Sequence, residues 1–131
     1  MQDIEIDFYS GFEDDEEIHF FIKTELSTRK IKMWIGYFRT ILRSIKTPSD
    51  IPWTGLVHYN NFHLGWHEES NWQIPDLEEV LFQLQHIELP VDDPMNHMDY
   101  SPQRKILVEM ISIVSEGIEK NLPVYINQCF G

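Results

Sequence analysis

The chain has 131 residues, 42% of them hydrophobic and 13% aromatic, with 22 acidic against 10 basic side chains and a formal net charge of −12. That length suits one domain, residues 1–131, and the apolar fraction can fill a core without help from metals or disulfides. The acid excess excludes the net basic footprint that a nucleic-acid backbone requires. Cys129 is the only cysteine, which excludes an intrachain disulfide and points to a reducing compartment.

The charge is unevenly spread. Residues 1–17 carry eight acids and no Lys or Arg, whereas residues 23–46 carry seven basic groups against Glu25 alone. Residues 47–131 return to thirteen acids against Arg104, Lys105 and Lys120. The opening "MQDIEIDFYS" lacks the basic and apolar regions of a secretory signal. No apolar run approaches the roughly 18 residues of a membrane span. The expectation is a cytoplasmic protein with no membrane association.

"DIEIDFYS" alternates Ile4, Ile6 and Phe8 against Glu5, Asp7 and Tyr9, the period of a strand with one buried face. Residues 18–26, "IHFFIKTEL", alternate again, with Ile18, Phe20 and Ile22 on one side. Acids at 14–17 would also suit a helix start there, but the β-branched and aromatic density favours a strand. The two strands are expected to pair as a hairpin across the loop "FEDDEE". "STRKIKMWIGYFRTILRSIK" places Ile31, Trp34, Ile35, Phe38, Ile41, Leu42 and Ile45 at helical spacing, which predicts a helix over 29–46 with its basic residues on the outer face. "TPSDIP" stops it.

In "GLVHYNNFHLGWHEESNW", Asn60-Asn61 suits a two-residue turn. A hairpin there puts Val57, Tyr59, Phe62, Leu64 and Trp66 on one face and His58, His63 and His67 on the other. "IPDLEEVLFQLQHI" predicts a helix capped by Asp76, with Glu79 three residues on. "SPQRKILVEMISIVSEGIEKN" predicts another, with Ser101 as cap and Pro102 in the first helical position; Asn121 and Pro123 end it, and "VYINQCF" reads as a final strand. The order β-β-α-β-β-α-α-β implies an α+β fold, an antiparallel sheet of about five strands with helices on one face.

Chemistry is sparse. A cross-strand His58–His63 pair brings two Cβ atoms to about 4.5–5.5 Å. His67 lies about 13 Å further along the strand, so His58, His63 and His67 make a metal or acid–base site only if the strand bends at Gly65. Glu68 and Glu69 beside them would repel a phosphate, and Cys129 has no basic neighbour in sequence. No phosphate loop, nucleophile elbow or zinc motif is present in the sequence. No catalytic residue, cofactor or metal is therefore expected, and an enzyme is the alternative rather than the first choice.

Binding fits the residues better. "GFEDDEE" carries Glu13, Asp14, Asp15, Glu16 and Glu17 in an expected loop; "WHEESNW" places Glu68 and Glu69 beside Trp72; "VDDP" adds Asp92 and Asp93. Aromatic anchors among carboxylates suit a basic protein partner. In the segments "GFEDDEE" and "GLVHYNNFHLGWHEESNW", and in its character as a small acidic domain with one cysteine, the chain resembles the immunity proteins of bacterial polymorphic toxin systems, such as contact-dependent growth inhibition. The resemblance implies a non-enzymatic protein that neutralises a cognate toxin domain by direct binding in the cytosol. Many such toxins are basic nucleases, for which an acidic inhibitor offers attraction and substrate mimicry. The alternatives are a small enzyme or metal protein built on the 58–67 hairpin, or a regulatory adaptor.

Overall fold

The computed structural model describes residues 3–12, 15–45, 71–93, 95 and 99–130. The expected hairpin over 55–67, with His58, His63 and His67, lies outside these residues, as do Glu13, Asp14, Glu68 and Glu69. The described residues form an α+β fold of five strands and three helices: β1 (Ile4–Phe8), β2 (Glu16–Lys23), β3 (Thr28–Trp34), α1 (Ile35–Arg43), β4 (Trp72–Gln73), α2 (Leu77–Gln85), α3 (Ser101–Lys120) and β5 (Val124–Phe130). The sheet order is β1-β3-β2-β5-β4.

The sheet is mixed rather than antiparallel, because β1 runs parallel to β3 while the other pairs are antiparallel. The expected β1–β2 hairpin is replaced by a β2–β3 hairpin, whose turn is held by Thr24 and Ser27. Charge gives the reason. Beside β3, Asp7 stands opposite Lys32, and opposite charges on neighbouring strands stabilise the ladder. The seven residues between β1 and β2 can easily span the intervening strand.

The helix expected over 29–46 is also corrected. Residues 28–34 are strand, and α1 starts only at Ile35. Ile31 and Met33 are fully buried while Lys30 and Lys32 face away, a period of two. At the far end of the chain, α3 begins at Ser101 itself, so Pro102 is its second residue, and Asp99 accepts hydrogen bonds from the Ser101 N–H and hydroxyl.

Three other expectations hold. Ile18, Phe20 and Ile22 are buried in β2. Asp76 caps α2 by accepting from the Glu79 N–H at 3.1 Å, and Asn121 closes α3 in the left-handed region at φ 55°. One core joins the inner faces of β2, β3 and β5 to Phe38, Ile41 and Leu42 of α1, Val80 and Leu84 of α2, and Ile106, Met110, Ile113 and Val114 of α3. All three helices therefore cover one side of the sheet, and no described helix is long and apolar enough to cross a membrane.

Candidate binding surfaces

Covering one side of the sheet leaves the side chains of the other pointing away from the core. Strand register arranges them in rows. Asp7, Lys32, His19 and Asn127 are successive partners across β1, β3, β2 and β5; Glu5, Lys30, Phe21, Tyr125 and Gln73 form the next row. Phe21 is 5% exposed and stacks on Tyr125 at 5.5 Å, with the Lys23 ammonium over its ring. A cleft of about 440 Å³ crosses this face, lined by Asp3, Ile4, Glu5, His19, Phe21, Lys23, Thr28, Lys30, Asn71 and Asn127.

Beside the cleft, the Glu17 carboxylate lies between two nitrogens. His19 Nε2 is 3.2 Å from one oxygen and Lys32 Nζ is 3.5 Å from the other. Neither Glu17 Oε2 nor His19 Nε2 makes a directed hydrogen bond, although both atoms are buried. Burial, followed by the charge of Lys30, pushes the His19 imidazole below its ordinary value, and Glu17 opposes this only in part. Glu17 in turn raises the Lys32 ammonium. The result is a neutral imidazole beside an ion pair.

The described part of the acidic stretch is built into the sheet and the turn before it. Glu16 and Glu17 belong to β2, and Glu17 is buried; Asp15 is exposed at the turn before it. Tyr9, itself buried, donates its hydroxyl to the Asp15 carbonyl, and the Asp15 N–H bonds to the Phe12 carbonyl. The Phe12 ring stacks on Trp34 at 4.4 Å, and Tyr37 meets both edge-on. Gly11, at φ 98°, supplies the backbone conformation that this turn requires.

The helical side differs in character. Phe82 and Val108 are more than 60% exposed, as are Val91 and Met95 in the segment between α2 and α3. Phe82 stacks on His86 at the end of α2, and beyond it Ile87, Leu89, Leu107, Val108 and Arg104 line a groove of about 320 Å³. The same part of the chain carries exposed carboxylates. Glu78, Glu88, Asp92 and Asp99 are all exposed, and residues 77–108 hold six acids against Arg104 and Lys105. Asp92 takes a two-pronged contact from Arg104 at 2.7 and 3.1 Å and also accepts the Tyr100 N–H, which lowers its carboxyl. Asp93 caps the Met95 N–H.

Of the residues expected to bind, Asp92 and Asp93 therefore sit on this side, whereas Asp15 and Glu17 lie at the sheet. Trp72, expected among the binding residues, lies in β4, pairs with Ile126 of β5 and packs partly buried against the core. Sequence reasoning missed Phe82, Val108 and His19. The first two were detectable as large apolar residues off the core stripes of their helices; His19 lay on the outer face of a correctly read strand. Searches with this chain find no matching family model, no matching curated protein and no matching solved structure.

Proposed function

We propose that this chain is a non-enzymatic binding protein of the immunity type, which neutralises a basic protein domain by covering it. The observation that carries the reading is the exposure of Phe82 on α2 and of Val108 on α3, the latter lining an apolar groove, on elements that also carry exposed carboxylates. Removing exposed aromatic and aliphatic side chains from water lowers the free energy, so a partner that covers them is favoured. Exposed charge of one sign selects the partner's charge and speeds the encounter. The partner would thus combine Lys and Arg with an apolar side chain that fills the groove between Leu89 and Leu107.

The test begins with capture from the cells that encode the chain, followed by recombination of the two purified proteins. The expected result is a 1:1 complex with one basic protein domain. Its association rate should fall steeply between 50 and 500 mM NaCl, over which the screening length shrinks from about 14 to 4 Å. Phe82→Ala should weaken binding by about tenfold or more, because about 1.5–3 kcal/mol accompanies burial of such a side chain. A complex whose rate ignores salt and whose affinity ignores Phe82 would overturn the reading.

A further inference from the structure

On the opposite side of the molecule, the cleft across the other sheet face holds both signs of charge, with no ion pair between its lining residues among the described ones. Glu5 and Lys30 are register partners on adjacent strands, yet neither has an oppositely charged group at ion-pair distance among the described residues, and Glu5 acts on Lys32 only from further away. Lys30 is half-buried and lines the cleft with no carboxylate at ion-pair distance among the described residues. Lys23, in the same cleft, rests on the Phe21 ring instead of an acid. Asp3 adds a second carboxylate on the Glu5 side, although one of its oxygens accepts the Thr28 N–H. Towards β4, Asn127 donates to Asn71 at 2.8 Å, so the far wall is neutral and polar.

We infer that this cleft binds a compact zwitterion of the α-amino-acid class, its carboxylate held by Lys30 and Lys23 and its ammonium by Glu5 and Asp3. A simple anion would meet Asp3 and Glu5, and a simple cation would meet Lys23 and Lys30; only a ligand carrying both charges satisfies both walls. The volume, about 440 Å³, lies in the range of small-molecule sites. Phe21 supplies an apolar floor, and His19, neutral beside Lys30, offers ring nitrogens to the ligand's polar atoms without adding a third positive charge.

The full-length chain is titrated with phenylalanine, leucine, glutamate and arginine while the His19 ring is followed by NMR. Phenylalanine is then compared with N-acetylphenylalanine, which lacks the cation, and phenylalaninamide, which lacks the anion. The expected result is a saturable His19 shift with at least one amino acid, and affinity about tenfold or more weaker for its derivative blocked at either end. Lys30→Met and Glu5→Gln should each lose a similar factor with unchanged melting temperatures, since neither side chain is part of the core. No saturable shift with any of the four amino acids would overturn the inference, as would equal binding of either blocked form or full affinity in both variants.

Discussion

His19 carries the sharpest consequence of a single side chain. Its imidazole is pushed down mainly by burial and next by Lys30, with Glu17 pulling the other way and Lys32 adding to the push. In the unfolded chain it titrates near the ordinary value of about 6.5. Below that pH the unfolded state binds the proton and the folded state resists it, so stability falls. The contribution is therefore complete above the ordinary histidine range and lost as pH drops from about 7 towards the lower folded value. Asp7, held down first by the Ser10 hydroxyl, and Asp92, held down first by Arg104, act in a separate and more acidic window. Urea unfolding of the wild type and His19→Gln at pH 7.5 and 5.5 separates these effects, because only the difference between the two proteins reports His19. The wild type should lose more stability on acidification. Identical losses would mean that the imidazole is not held neutral by the fold.

At the level of elements, what was legible followed from clean local signals. The Asp76 cap, the apolar stripe of α3 and the alternation in β2 and β5 all agree with their tertiary setting, so periodicity sufficed. Residues 28–35 failed because two periods fit the same letters. Ile31, Ile35, Phe38 and Leu42 satisfy a helix, while Ile31 and Met33 satisfy a strand, and the choice is made by β1 and β2 on either side, which no local window contains. The parallel β1 was hidden for the same reason. The candidate surfaces were less legible still: Asp92 and Asp93 were singled out from charge alone, whereas Phe82, Lys30 and His19 gain meaning only from what surrounds them in space. One letter did mark the strand-to-helix change. A Cβ on Gly36 would lie 2.4 Å from the Trp34 ring, which Phe12 and Tyr37 hold in place. Ala adds up to about 1 kcal/mol of helix propensity over Gly, whereas forcing a fixed ring aside costs about 1–3 kcal/mol. Gly36→Ala should therefore destabilise the protein and alter the near-UV signal of Trp34. An unchanged melting temperature with an unchanged spectrum would show that the ring has room to move.

For the molecule as a whole, the −12 charge sets two effects of salt against each other. Dissolved ions weaken the attractive pairs, of which Arg104–Asp92, Arg29–Glu109, Arg29–Glu116 and Lys32–Glu17 are the main ones among the described residues. Partly or fully exposed pairs of this kind contribute little each, because water and ions screen them. The same ions also screen the repulsion among the surplus carboxylates, which opposes the compact state. Because acids outnumber bases by more than two to one, most carboxylates have no cation to lose and only neighbours of like sign to be shielded from. Repulsion should dominate. The melting temperature should rise as NaCl goes from 10 to 150 mM, over which the screening length shrinks from about 30 to 8 Å. Over the same interval, association with a basic partner should slow, since there the attraction between molecules is what the ions remove. One titrant would then act with opposite signs on folding and on binding. A melting temperature that falls with salt would mean that the ion pairs outweigh the excess charge; a binding rate that rises with it would remove the electrostatic basis of the proposed function.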